Sequence, residues 1–231
     1  MFTPPFTFYQ HSIMSGPILR FASLSNQEGF HHAFTLRHPE INVAVDREEA
    51  VGRLAEWHGD VARELGFTRF VLGQQVHGSD IAIVDTSAVS PIGNVDGLIC
   101  NLPDLLLGVY VADCCAVFLT DAQSGAFGIV HSGKKGTEAN ITGKAIDMMR
   151  DRFGSNPSDV TVQLSPCIRP PAYEIDFAAD IREQAARSGV PADQIHDDRT
   201  CTSSDLTRFY SYRMEKGKTG RMLALLGRLS Q

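Results

Sequence analysis

Short strand-like runs broken by tight turns, mixed irregularly with amphipathic helical segments, predict an α+β fold of layered mixed β-sheets with helices packed outside. The first observation is the stretch 96–131, where the apolar runs 105–112, 115–120 and 126–131 are separated by turn residues. The second is that helical spacing, over 47–65, 137–150, 180–187 and 205–216, does not alternate with strands as a doubly wound parallel sheet requires. The third is composition: with 43% hydrophobic and 21% charged residues, the 231-residue chain has the make-up of an ordinary packed protein. No repeat, low-complexity tract or long linker divides it, so residues 1–231 read as a single domain.

In chain order, 47–65 carries Val51, Leu54, Ala55, Val61 and Leu65 on or near one stripe and meets a stop at Gly66. Residues 70–77 and 81–85 read as strands joined in a hairpin through Gly78, Ser79 and Asp80. A loop rich in Ser, Pro, Gly and Asn follows at 89–95. The turn 121–125 joins two further strands, and pairing Asp121 with Ala126 puts His131 opposite Ala116. Cys114 and His131 then share one end of that hairpin, where strands lie about 5 Å apart. Ser132, Gly133, Lys134, Lys135 and Gly136 form a glycine-flanked basic loop, and 137–150 is a helix with Thr137 as cap. Free amides at that helix start, with a lysine, would cradle an anion beside the hairpin end. Further on, 160–164 is a strand entering a turn at Ser165, Pro166 and Cys167. Residues 180–187 form a helix closed by Gly189 and Pro191, and 205–216 a helix capped by Asp205 and stopped by Gly217.

Charge and cysteine usage narrow the function. A net charge of −6 with scattered lysines and arginines argues against a nucleic-acid partner, which needs a basic stripe. Residues 1–14 lack the basic start and apolar run of an export signal, and the longest apolar stretch, 105–112, is too short to cross a bilayer, so the expected location is cytoplasmic. Five cysteines, an odd number, favour reduced thiols over a disulfide framework.

The residues best placed for chemistry are His77, Cys114 and His131, each at a strand end beside a glycine or a chain break. Two imidazoles and one thiolate suit zinc, and three protein ligands leave a fourth position for water or substrate. The same trio also fits a cysteine nucleophile with a histidine base and no metal. Their separations match no compact zinc motif and eight histidines in 231 residues are unremarkable, so spacing leaves both readings open beside a purely structural role. Asp113, next to Cys114, is a candidate to orient a ligand histidine or to act as acid or base. Cys115 must face the opposite side of its strand and pack in the core. His31, His32, His38, His58 and His196 read as solvated or structural.

Gln75-Val76-His77-Gly78, Asp96-Gly97-Leu98-Ile99, Ala112-Asp113-Cys114, His131-Ser132-Gly133 and Ser165-Pro166-Cys167-Ile168 resemble, in order and spacing, the signature of the YfiH-like family. That family is also called the laccase-domain or multicopper polyphenol oxidoreductase family. Segments 32–37, 173–175, 210–213 and Thr219-Gly220-Arg221 extend the resemblance over roughly residues 18 to 229. It implies a zinc site on His77, Cys114 and His131 and a fold related to the cysteine-hydrolase domain of cytotoxic necrotizing factor toxins. Copper is the weaker expectation, since one Cys and two His are too few for a multicopper cluster.

The activity implied is that of a purine nucleoside phosphorylase acting on adenosine, inosine, guanosine and methylthioadenosine, with adenosine deaminase activity alongside. The expected partners are therefore a small-molecule nucleoside and phosphate, with no nucleic acid and no membrane. Other members of the family resemble amidases that edit peptidoglycan precursors, and a diverged metal-containing binding protein is the non-enzymatic alternative. Arg37, Gln75 and Tyr173 are expected in the substrate pocket. Where the family has Trp-Arg after its His-Ala-Gly motif, this chain has Lys134-Lys135. Lys135, at the arginine position, is the expected pocket cation, with Lys134 extending into solvent.

Overall fold

A computed structural model describes residues 16–230, so the export-signal reading of residues 1–14 falls outside the described residues. Among the described residues, eleven strands, numbered along the chain, form two mixed sheets. The first contains β1 (Ile18–Leu19), β2 (Phe30–Thr35), β3 (Val71–Leu72), β6 (Leu105–Val111) and β11 (Met222–Arg228), in the order β1-β2-β11-β6-β3. The second contains β4 (Ile81–Ile83), β5 (Gly97–Cys100), β7 (Cys115–Asp121), β8 (Ala126–Ser132), β9 (Val160–Leu164) and β10 (Ile195–Asp197), in the order β10-β9-β7-β8-β5-β4. The helices are α1 (Ala22–Ser25), α2 (Arg47–Glu64), α3 (Lys134–Glu138), α4 (Ile141–Phe153) and α5 (Phe177–Arg187). This is the expected α+β arrangement.

Strand alternation builds two cores. On β7, Ala116 and Phe118 join β2, β6, β11 and the apolar stripe of α2 in one core, while Cys115, Val117 and Leu119 join α4 and α5 in the other. On β8, Phe127 and Ile129 go to the first core, and Ala126 and Val130 to the second. Every residue of β7 and β8 is buried, which explains why these strands read as continuous apolar runs. Cys114 and His131 continue the rows of Ala116 and Ile129, so both project from the face turned to the first core; Cys115 packs on the other side, as expected.

Three sequence expectations are corrected. Residues 70–77 and 81–85 do not form a hairpin: β3 pairs parallel with β6, and β4 pairs parallel with β5 in the other sheet. The chain changes sheets between them because Gly73 packs against Val95, where a Cβ would stand 2.6 Å from the carbonyl oxygen, and because the amides of Val76, His77 and Gly78 turn to the Asp96 carboxylate. The helix expected over 137–150 is two helices. Thr137 lies inside α3, its hydroxyl donating to the Gly133 carbonyl, and Asn140, at φ 59°, breaks the path before α4.

The third correction is the helix expected over 205–216, which is a 3-10 turn at Thr202–Ser204 followed by irregular turns. Its amides go to carboxylates instead of helical carbonyls: Thr207 N donates to Asp205, Ser211 N to Glu215 and Arg213 N to Asp113. Helix α5 also starts earlier than read, at Phe177, with the Asp176 carboxylate capping Ala179 N. Strands β2, β5 and β11 were not distinguished in the sequence. Each pairs with partners far along the chain, as Ala224 does with Val109.

Candidate metal centre and its cavity

The β7–β8 hairpin has the predicted register, Asp121 opposite Ala126 and Ala116 opposite His131. Cys114 therefore sits just before β7 and His131 near the end of β8, while His77 comes from the segment that crosses between the sheets. The ligand atoms of the three residues lie within 4.8 Å of one another. The two imidazole rings meet edge to face, 4.8 Å between centroids.

Asp96, just ahead of β5, organises this trio. Its Oδ1 accepts from His77 N at 3.0 Å and lies 2.7 Å from His131 Nδ1; its Oδ2 accepts from Val76 N at 3.1 Å and Gly78 N at 2.7 Å. Three successive amides wrapped around one carboxylate hold His77 at φ 61°, a left-handed conformation that a non-glycine residue seldom adopts. The bond at Nδ1 turns Nε2 of His131 toward Cys114, the carboxylate–histidine arrangement that supports metal ligands. Gly133 is needed beside the thiol, because a Cβ there would lie 2.5 Å from Cys114 Sγ. This donor set, with a preset imidazole and space cleared around the sulfur, fits a divalent ion such as zinc.

The electrostatics of the trio follow from burial and partners. Burial pushes the Cys114 thiol up, but the His131 and His77 imidazoles outweigh it and bring it down to about 6. Burial pulls His131 down, yet the Cys114 thiolate and the Asp96 carboxylate raise it to about 9. Burial raises Asp96, and the bonds from His131, Gly78 and Val76 bring it below its ordinary value. All three directions favour thiolate, imidazolium and carboxylate side by side.

The trio lines a cavity of about 840 Å³. Of the residues expected there, Gln75 lines it, with its amide bridging the backbone N–H and C=O of Tyr110. Tyr173 lines it too, its ring facing the Arg213 guanidinium at 5.1 Å. Arg37 does not: it donates to the Phe209 carbonyl and pairs with Glu215, pinning the 205–217 turns to the end of β2. The two lysines are exchanged relative to expectation. Lys134 lines the cavity and the exposed Lys135 does not, because α3 already begins at Lys134. Asp113 borders the cavity at φ 81°, but its oxygens accept from Thr202 Oγ1, Ser211 Oγ and Arg213 N, away from both imidazoles. The orienting contact expected of Asp113 is made by Asp96. Sequence reasoning missed that role, as it missed Arg47, Tyr110, Tyr212 and Arg221 in the cavity wall; the motifs around Asp96 and Arg221 were the available signals.

Fold and site together define a two-sheet α+β protein in which a His/Cys/His trio that could hold a metal lines a cavity. The chain belongs to the multi-copper polyphenol oxidoreductase laccase family, whose model matches residues 27–183 and 174–228. It is 31% identical over 231 aligned residues to the purine nucleoside phosphorylase YlmD of Geobacillus stearothermophilus, covering 81% of this chain and 82% of the relative. It is 29% identical to a purine nucleoside phosphorylase of Deinococcus radiodurans, with 91% and 92% covered. The crystal structure of YlmD from Geobacillus stearothermophilus superposes with a TM-score of 0.77 at 26% identity, over 88% of this chain and 93% of that one. That of the hypothetical protein YfiH from Bacillus licheniformis gives the same TM-score at 24% identity, over 87% and 93%. No helix among the described residues is long and apolar enough to cross a membrane.

Proposed function

We propose that the chain is a zinc-dependent purine nucleoside phosphorylase acting on adenosine, inosine, guanosine and methylthioadenosine, with adenosine deaminase activity at the same centre. The observation that carries this reading is the convergence of His77, Cys114 and His131 in a cavity also lined by aromatic and cationic side chains. The two relatives named as purine nucleoside phosphorylases, matched over more than four-fifths of the chain, support it. When bound by the trio, zinc supplies a Lewis acid and a water of lowered pKa.

The protein's own residues do the rest. In phosphorolysis a phosphate oxygen forms a bond to the ribose anomeric carbon while the bond from that carbon to the purine nitrogen breaks. The purine leaves with the electron pair and takes up a proton. Tyr173, Phe177 and Ile168 offer an apolar wall for the purine, and Lys134 is a cation within the wall. Asp96 orients the His131 ring through its Nδ1, and Asp113 acts by holding the 202–213 segment beside the cavity.

A second reading, a Cys/His amidase acting on a peptidoglycan precursor, is favoured by one observation: Cys114, His131 and Asp96 also line up as nucleophile, base and orienting carboxylate. Metal analysis combined with a nucleoside panel, assayed with and without phosphate, separates the two. The phosphorylase reading expects base release that requires phosphate, yields ribose 1-phosphate and is lost with a chelator. Base release that ignores phosphate, or none at all from zinc-loaded protein, sinks it; amide hydrolysis that survives chelation establishes the second.

A further inference from the structure

The Thr219-Gly220-Arg221 segment is not explained by the metal centre. Arg221 is buried, only 8% exposed, and still lines the cavity. Its Nη1 donates to the Thr219 and Gly220 carbonyls at 2.8 Å each, which fixes the guanidinium from one side, and its plane lies 5.7 Å from the Tyr212 ring. Gly220 is tied down in turn, because a Cβ there would lie 2.7 Å from the Tyr210 ring. Arg47, the first residue of α2, enters the same wall from the other side of the chain.

Among the described residues, neither arginine is locked in a salt bridge. The ion pairs around the cavity are Arg37–Glu215 and Arg213–Glu174, and neither Arg47 nor Arg221 belongs to an ion pair among the described residues. Of the acids in the wall, Asp46 uses its carboxylate to cap α2 at Glu49 N, and Asp113 is saturated by Thr202, Ser211 and Arg213. Lys216 and Lys218 add further positive charge to the same rim. Burial, and then the like charge of Arg47, pull the Arg221 pKa down against the opposing pull of Tyr212, Cys114 and Asp113, and an anion bound in the cavity that both arginines line would favour its charged form. Tyr110, which also lines the cavity, is held by burial as a protonated phenol, up to about 12. Planar guanidinium forks with unfilled donors match the oxygens of a phosphoryl group better than those of any neutral ligand.

We propose that Arg47 and Arg221 form a phosphoryl-binding subsite at the cavity wall, separate from the α3 loop that carries Lys134. Its ligand is a dianionic phosphoryl group, supplied as inorganic phosphate or as the phosphoester of a nucleotide. The nature of the ligand rests on the nucleoside reading above; the existence of the subsite does not.

Calorimetric binding of inorganic phosphate, adenosine and adenosine 5′-monophosphate to the full chain tests it, with Arg221→Gln and Arg47→Ala compared to the parent. Removal of one charge-assisted contact should weaken phosphoryl binding about tenfold or more, while adenosine binding stays within about twofold, the scatter expected where no contact is lost. Loss of inorganic phosphate binding identifies the free ion as the ligand. Loss confined to the advantage of adenosine 5′-monophosphate over adenosine identifies the phosphoester. Arg47 is exposed, so its variant remains informative if Arg221→Gln does not fold. Unchanged phosphate and nucleotide binding in folded Arg47→Ala overturns the subsite, even if base release still depends on phosphate. Arginine-dependent phosphate binding without base release would keep the subsite and remove the phosphorylase reading.

Discussion

His131 and His58 are both buried, 3% and 0% exposed, yet their surroundings push them in opposite directions. His131 lies between the Asp96 carboxylate and the Cys114 thiol and is raised to about 9. His58, on α2, is packed between the Trp57 and Tyr110 rings, and neither of its nitrogens has a hydrogen-bond partner among the described residues. Burial, with His38 adding to it, takes it down to about 3. Burial alone therefore does not decide what a histidine becomes; the charge that faces it does. One region is built to hold charge close together, the other to keep it out.

The sharpest way to break that contrast is Asp96→Asn. It leaves an amide where four donors expect a carboxylate, so the His131 imidazolium loses its partner and the 76–78 turn loses its anchor. Disruption of a buried charged pair costs about 3–5 kcal/mol, and loss of a supporting carboxylate costs about 10–100-fold in metal affinity. Denaturant unfolding and chelator competition read the two effects. A fully stable variant with unchanged affinity would show that Asp96 plays no organising part.

Gly133→Ala should come next. The added methyl would overlap Cys114 Sγ, so overpacking of about 1–3 kcal/mol is expected, with metal affinity lost ahead of the fold. Cobalt substitution, followed by its thiolate absorption band, checks this; a normal band in the variant means that the thiol has room to move.

The third test is acid. His58, at about 3, and His32, at about 4, both lie below the unfolded value of 6.5. His32 is buried, and its Nε2 accepts from Phe21 N at 2.7 Å, a bond that needs the neutral ring. The unfolded chain binds more protons than the folded one below 6.5, so stability is full above that pH and falls as pH drops toward 4 and then 3. Each pH unit costs at most about 1.4 kcal/mol per histidine. His58→Leu should flatten the fall and leave stability at pH 8 unchanged or higher by about 1 kcal/mol, since no hydrogen bond is lost. An equally steep acid loss in that variant would assign the effect to other groups. His131 contributes with the opposite sign: its raised value gives stability that is complete below 6.5 and lost as pH rises through about 9.

The smallest effect is expected at the lysines. Lys135→Ala should change stability by less than about 0.5 kcal/mol and leave nucleoside binding unaltered, because its side chain is not part of the cavity wall. Lys134→Ala should weaken binding of an anionic ligand at similar stability. The reverse order in a binding titration would restore the sequence expectation for this pair.

What could be read in advance was local. The β7–β8 register follows from one turn, so the meeting of Cys114 and His131 was legible from alternation alone. The helix at 47–64 was legible because its apolar stripe lies within the segment and its stop, Gly66, follows directly. Where the sequence misled, carboxylates had taken over the backbone. Asp96 claims the amides of 76–78 and Asp113 claims that of Arg213, each from far along the chain, while Asp205 and Glu215 compete for Thr207 N and Ser211 N within the segment itself. The cationic wall was hidden by distance, since Arg47 and Arg221 stand at opposite ends of the chain and meet only in space.

The nest of amides around Asp96 also has an effect on what can approach the trio. A bare carboxylate that close to the ligands would repel an incoming anion. Here three peptide dipoles and one imidazole point their positive ends at it, so its field is largely shielded within the protein. A negatively charged guest approaching from the arginine wall therefore meets donors in the wall and the His77, Cys114 and His131 trio, with the carboxylate's own charge already turned inward.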